Sequence, residues 1–450
     1  MAETSLQGSE IKELIEQRRW GDLRMVLSQH PAPDLADLLS NLEMNERALL
    51  FHVLPREVAA EAFSYLGTKE KDALIRDLTH EETRRLLEDL SPDDRTEFFA
   101  DLPGQAIQRL MNLLSPGDRK ETLQLLGYPE ESVGRLMTPD YVAVKKHWTI
   151  EQALEHIRDK GSDSETVNII YVVDDSWKLL DAIDLRKLIL APLGHTVVQV
   201  MDDSFVGISA YEDREEAVEW IQRYDLVALP VVDPDGVLLG IVTVDDVMDV
   251  AQKEATEDFH KITAISPLKA SYSESSVWSL YRKRVGWLVI LILVNLLSSG
   301  VIAAYEETLA TYIALAFFIP LLIGSGGNAG TQSATLVVRA IATGDVKLSQ
   351  WARIFGREIS VGLLLGGTMG LAGGLLGLFR GGYQIGVVVL LAMISIVLVA
   401  NLFGTLLPFL LTRFRLDPAV ASSPLIATLA DGAGLLIYFS LATKILGGMR

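Results

Sequence analysis

The sequence predicts a multidomain membrane protein: an all-α N-terminal superhelical domain, a duplicated α+β region, and an all-α transmembrane domain of five helices. Three observations carry that expectation. Charge is split, since 53 of the 59 acids but 30 of the 40 Lys and Arg precede Arg284, which leaves residues 1–283 with a net charge of −23. Five long uncharged runs follow, and two stretches of the middle third repeat at fixed offsets. At 450 residues the chain exceeds one ordinary domain. There are no cysteines, which excludes disulfides and thiolate metal sites.

Residues 1–130 are expected to form an acidic helical domain. The opening MAETSLQGSE lacks the basic and apolar regions of a secretory signal, which leaves the N-terminus in the cytoplasm. LPREVAAEAFSYL, THEETRRLLEDL, SPDDRTEFFADL and PGQAIQRLMNLL place Ser, Thr or Pro near their starts, mostly with acids in the first turn. Leu, Phe or Met then recur at helical spacing, and the succession suggests a stacked array. So acidic a surface disfavours nucleic acid as a partner and favours cations, with plain solubility as the bland alternative.

Residues 131–250 hold the repeat. YVVDDSWKLLDAIDLRKLI aligns with PVVDPDGVLLGIVTVDDVM at an offset of 59, and RLMTPDYVAVKKHWTIEQALEHI with QVMDDSFVGISAYEDREEAVEWI at 64. The first copy therefore carries five extra residues, near DKGSDSE. Each copy reads strand, helix, strand, turn, strand, helix, giving units 131–196 and 197–250. Residues 245–265 read as a long acidic helix that leads through a connecting segment, 251–281, to the apolar part.

In 282–450 the uncharged runs cover 285–304, 308–338, 359–379, 381–412 and 418–443, the last broken only by Asp431. About 20 apolar residues span a bilayer as a helix, so each run suffices. Arg282, Lys283 and Arg284 precede the first run, Lys347, Arg353 and Arg357 the third, and Arg413 and Arg415 the fifth. The other loops hold the acidic YEETLATY and a single Arg380. The positive-inside rule then predicts a multi-pass protein of the cell (inner) membrane, with its N-terminus cytoplasmic and its C-terminus outside.

Asp431 lies near mid-membrane, where a carboxylate costs roughly 2.5–3.5 kcal/mol. The functional reading is an ion or proton site facing a wet interior; a protonated or backbone-bonded structural Asp is the alternative. In PLLIGSGGNAGTQSATL (320–336), Pro320 and Gly324, Gly326, Gly327 and Gly330 are expected to loosen a helix, and Asn328, Thr331, Gln332 and Ser333 concentrate polar groups. Irregular backbone at that depth belongs beside protein or a wet cavity, which favours a pore lining over mere tight packing.

The repeat resembles the CBS domain pair, and with the membrane half the chain resembles the MgtE family of magnesium channels and transporters over nearly its whole length. GSGGNAGTQSATL, DPAVASSPLIATLADGAGLLIY and IVTVDDVMDVAQKEATEDFHK carry the likeness. It implies a homodimer in the lipid bilayer, with Mg2+ as transported and regulatory ion. Asp431 and the Ala427 carbonyl would hold the ion in a pore between subunits, lined by Asn328, Thr331, Gln332, Ser423 and Thr428. The acidic helix would plug the cytoplasmic mouth, carrying Asp246, Asp249, Glu254, Glu257 and Asp258, the last sharing a cation with Asp417. Glu61, Asp93 and Glu97 of the helical domain and Asp213, Glu215 and Asp225 of the second CBS module match acids that share ions between domains. High cytoplasmic Mg2+ would bridge these surfaces and close the pore. CBS pairs often bind adenine nucleotides through Thr-x-x-Asp, here Thr243 and Asp246, so ATP is a further candidate ligand; the first copy has Asp184 and Lys187 instead.

Two other functions stay open. One is a proton-coupled or broad divalent-cation (Mn2+/Co2+) carrier regulated by nucleotide at the CBS pair, against which stands the lack of evident duplication among the spans. The other is a sensor that transports nothing, disfavoured by the polar second span. An enzyme is not expected, because seven His, no Cys and no nucleophile–base motif leave little to build one from.

Overall fold

The computed structural model describes residues 11, 13, 14, 17–42, 44–268, 272 and 275–447. MAETSLQGSE, on which the cytoplasmic start was argued, lies outside the described residues, as do parts of the 251–281 segment. The chain separates into two compact units, Met1–Gln252 and Lys253–Arg450.

The first unit opens with short helices: α1 (Trp20–Leu27), α2 (Ala32–Ser40), α3 (Met44–Val53), α4 (Arg56–Ser64), α5 (Thr68–Asp77), α6 (His80–Asp89), α7 (Pro92–Ala100), α8 (Gly104–Met111) and α9 (Pro116–Leu126). Their apolar faces merge into one core that includes Leu39, Phe63, Leu87 and Phe99. Local signals set the starts. Thr79 and Glu82 form a capping box, with Glu82 N donating to Thr79 Oγ1 at 3.3 Å and Thr79 N to Glu82 Oε2 at 2.9 Å. Pro92 and Pro116 stand in first turns, where a missing N–H costs nothing. Arg95, 2% exposed, donates to Glu121 Oε2 at 2.6 Å and to Thr122 Oγ1 at 3.0 Å, which pins α9 to α7.

The repeat follows. β1 (Tyr141–Lys145), α10 (Ile150–Lys160), β2 (Thr166–Val173), β3 (Leu179–Asp184) and α11 (Leu185–Leu190) form the first copy. β4 (Ile208–Ser209), α12 (Arg214–Tyr224), β5 (Ala228–Val232), β6 (Leu238–Thr243) and α13 (Val244–Ile262) form the second. In each three-stranded sheet the middle strand pairs parallel with the first and antiparallel with the third. The extra residues of the first copy make the turn Gly161–Asp163 and a longer β2. Lacking them, the second copy turns at Asp225 in the left-handed conformation, φ 52. Tyr171, Val173 and Leu179 of one copy share a core with Ala228, Leu238 and Ile241 of the other.

The second unit contains α14 (Val277–Ala304), α15 (Glu306–Thr311), α16 (Ile319–Ala342), α17 (Trp351–Arg413) and α18 (Ser423–Gly447). Four helical stretches are long and apolar enough to cross a membrane, and Leu348–Arg413, at 66 residues, is more than twice the needed length. It folds back at Gly382, whose φ of 80 and ψ of −178 suit glycine alone. Gly366 packs on Ile394, Gly370 on Leu390 and Gly377 on Gly386, so arms 351–381 and 383–413 run antiparallel. The four stretches thus supply five apolar segments.

Composition suggested a loosened α16, and the structure corrects this. Pro320 occupies its first turn, and Gly326, Gly327 and Gly330 are buried contacts inside a continuous helix. A Cβ at Gly330 would stand 2.9 Å from the Ala400 carbonyl oxygen, and one at Gly404 would collide with the Gly330 carbonyl oxygen. The glycines let α16 and α17 meet backbone to backbone. Gly404→Ala should therefore destabilise the purified protein by about 1–3 kcal/mol through overpacking. An unchanged thermal midpoint in detergent would contradict that contact.

Candidate ion-binding sites

Asp431 projects from α18 and is half-buried. Its Oδ1 lies 3.6 Å, and the Ala427 Cβ 3.5 Å, from where a Cβ at Gly327 of α16 would be, so the absent side chain admits the carboxylate. Among the described residues Asp431 has no hydrogen-bond donor or cation. Asn328 and Gln332, one turn apart on α16, are exposed, and half-buried Thr331 approaches the Ser423 carbonyl at 3.4 Å. Thr428 is buried and donates to the Pro424 carbonyl at 2.8 Å, which assigns its hydroxyl to its own helix.

Behind α16 lies a polar group that sequence reasoning missed. Glu358, Ser333, Asn401 and Thr405 are hydrogen-bonded to one another among apolar helices. Counting uncharged runs starts the third one at residue 359 and leaves Glu358 outside it as a boundary charge. Ser333 was in view only as one more polar residue of its span.

In the first unit, acids converge from three places. Asp93 opens α7, and its Oδ1 is shielded from water without a partner. Burial pushes its carboxyl well above the ordinary range, and Asp246, Asp94 and Glu165 add to the push. Burial likewise pushes Asp246 up to about 7, against a 2.7 Å hydrogen bond from Thr243 Oγ1, with Asp245, Asp94 and Glu165 contributing. Glu61 and Asp249 are exposed at the rim, where both act on Tyr65, and Glu97 acts on Asp94. Sequence reasoning found Asp93 and Asp246 but not Glu165. The signal was the five-residue surplus around DKGSDSE, which ends on that glutamate. Asp213, Glu215 and Asp225 belong to α12 and its two ends. Asp213 caps α12, accepting from Glu215 N at 3.0 Å, and Asp225 ends the same helix. Among the described residues no three acidic or imidazole groups are arranged to hold a metal ion. The cluster concentrates charge without forming a closed cage.

In the second unit Lys261 Nζ lies 2.6 Å from Asp417 Oδ2 and 2.8 Å from Glu257 Oε1. Burial pushes the Asp258 carboxyl up, and the Asp417 charge adds to this. Glu254 also raises Asp258. An ammonium group thus stands beside Asp417, where a shared cation was expected. In the first CBS copy Lys187 pairs with Asp202 at 2.7 Å, a different arrangement from the Thr243–Asp246 bond of the second.

The profile of the MgtE family, described as a divalent cation transporter, matches residues 319–441; the MgtE intracellular N domain matches 30–131, and CBS domains match 133–194 and 197–253. The magnesium transporter MgtE of Thermus thermophilus is 45% identical over 328 residues, 72% of this chain and 72% of that protein. The chain belongs to the MgtE family. The magnesium transporter MgtE of Bacillus subtilis is 34% identical over 323 residues, 72% of this chain and 71% of that protein. The crystal structure of the cytosolic domain of the Mg2+ channel MgtE in complex with ATP covers 54% of this chain and 99% of its own, at 36% identity and a TM-score of 0.52. MgtE relatives are magnesium transporters and not enzymes, which agrees with the absence of a catalytic motif. Their three matched modules correspond to the helical array, the repeat and the apolar bundle of this chain.

The acid cluster has a pH signature. Asp93 and Asp246 bind protons more tightly in the folded chain than the ordinary carboxyl near 4, so their contribution to stability is complete below that range and lost as pH rises, for Asp246 through about 7. In metal-free buffer the thermal midpoint should fall between about pH 5 and 7.5, and Asp246→Asn should flatten the slope. A flat wild-type profile would mean that these acids do not repel one another.

Proposed function

We propose that this MgtE family member is a Mg2+ uptake channel, working as a homodimer and closed by cytoplasmic Mg2+. The observation that carries the reading is Asp431: a half-buried carboxylate without a partner among the described residues, set against Gly327 beside the exposed amides of Asn328 and Gln332. An uncompensated carboxylate among apolar helices is costly, and a passing cation offsets that cost. Mg2+ dehydrates reluctantly and prefers octahedral oxygen coordination, so one carboxylate per subunit with polar groups around it suits the hydrated ion. Five crossings, with the N-terminal units in the cytoplasm, accord with the folded-back α17 and with the distribution of basic residues.

Feedback follows from linkage. The converging acids of the first unit repel one another, and a divalent cation that binds only the compact arrangement shifts the equilibrium toward it. α13 carries Asp246 and Asp249 at one end and Glu254, Glu257 and Asp258 toward the other, so one helix joins that arrangement to the membrane unit. ATP is a second regulator on this reading. Support comes from the ATP complex of the related cytosolic domain and from the Thr243–Asp246 pair.

In a bacterium deficient in Mg2+ uptake, the chain should restore growth at low Mg2+ and Asp431→Ala should not; equal rescue by both would overturn the reading. Neutralising Asp246, Asp249 and Asp258 together to Asn should leave conduction intact and blunt inhibition by internal Mg2+ in patch recordings. Undiminished inhibition would remove these acids from the gating mechanism.

A further inference from the structure

Glu358 stands in the first arm of α17, and among the described residues no Lys or Arg pairs with it. Its Oε2 lies 3.1 Å from both Ser333 Oγ of α16 and Asn401 Nδ2 of the second arm. The hydrogens can be assigned. Thr405 Oγ1 donates to the Asn401 carbonyl at 2.9 Å. The Ser333 hydroxyl, 3.0 Å from Thr405 Oγ1, therefore has two acceptors in reach, the Glu358 carboxylate at 3.1 Å and the Asn401 carbonyl at 3.2 Å, of which the charged carboxylate is the stronger. Ser333, Asn401 and Thr405 are 4%, 2% and 1% exposed, so no water replaces Glu358 as acceptor without rearrangement.

The position of Ser333 gives this network its consequence. It follows Gln332 directly and lies five residues beyond Asn328, so on a helix with 100° between neighbours it points away from their exposed strip. It is also six residues past Gly327, about 9 Å along the axis from the level of Asp431. We propose that Glu358 is a positioning residue for ion passage: by holding Ser333 it fixes the rotation of α16 about its own axis, and with it the direction in which Asn328 and Gln332 face. Glu358 does not touch the ion. The inference rests on the proposed function, in which that strip lines the route.

An acceptor, not a charge, is what this role demands. Glutamine keeps a carbonyl oxygen that can take both hydrogen bonds; alanine leaves the Asn401 amide without its acceptor and hands the Ser333 hydroxyl over to the Asn401 carbonyl, 3.2 Å away. Removing a group that orients ion-facing residues typically costs 10–100-fold, which sets the scale.

The test is Mg2+ and Co2+ uptake by full-length protein in liposomes. Glu358→Gln should stay within about twofold of wild type, and Glu358→Ala should lose about tenfold or more of Mg2+ flux with an altered Mg2+/Co2+ ratio. Merely lowering the amount of folded protein would scale both fluxes equally. Ser333→Ala removes one bond and should change the ratio in the same direction even if Glu358→Ala fails to fold. Wild-type ratios in Glu358→Ala or Ser333→Ala, or equal losses in Glu358→Gln and Glu358→Ala, would overturn the inference. Asp431→Asn, run in parallel, separates the two levels: normal flux there would sink the proposed function itself, whatever Glu358 does.

Discussion

A carboxylate removed from water must be protonated, paired or hydrogen-bonded, and this chain disposes of its buried acids in each way. Asp417 is paired with Lys261. Glu358 accepts two hydrogen bonds from buried donors. Asp93 and Asp246 crowd one another, so that burial and mutual repulsion favour their protonated forms. Asp431 has neither a hydrogen-bond donor nor a cation among the described residues, and the functional argument starts from that difference.

Close helix approach makes the difference possible. Gly330 and Gly404 bring α16 against α17 with carbonyl oxygens in the place of side chains, and Gly327 leaves room for Asp431. Where backbones touch, sideways shifts are resisted, because the interior has no volume to yield. Ile396 and Ile426 side chains also press on the glycine positions of α16. The Glu358 network supplies a directional contact on that face. Packing fixes how near α16 stands; hydrogen bonds fix which way it faces.

Much of this was legible in the sequence. Uncharged runs located the apolar segments, and the offsets of 59 and 64 located both α+β copies together with the five-residue surplus. Asp431 was conspicuous as one charge in a long apolar run. The misses have physical causes. Glycines in 320–336 have low helix propensity, which suggested a loosened helix, but tertiary packing overrides propensity when each missing Cβ admits a neighbour. Glu358 sits at the end of an apolar run, where a charge ordinarily marks the membrane edge; only the fold brings Ser333 and Asn401 to it. Glu165 lies far in sequence from Asp93 and Asp246, and long-range convergence of like charges leaves no local pattern.

The acids of the first unit also bear on how a cation could act as a signal. A site reports an ion's concentration only when its affinity is low enough to leave it partly empty over the working range, and in carboxylate sites charge count and rigidity set that affinity. Here no three acidic or imidazole groups among the described residues are arranged to hold a metal, yet several lie close enough to raise one another's carboxyls. Such a cluster is unfavourable without a cation and is relieved by one, so its affinity is limited by the work of bringing the acids together. Lys261 shows the same relief supplied from within the chain, its ammonium placed between Glu257 and Asp417. A tethered cation is present at every Mg2+ concentration, whereas a free ion bound at the Asp93–Asp246 cluster would not be. On the proposed reading, sensitivity to Mg2+ would therefore reside in the Asp93–Asp246 cluster and not in the Glu257–Lys261–Asp417 group.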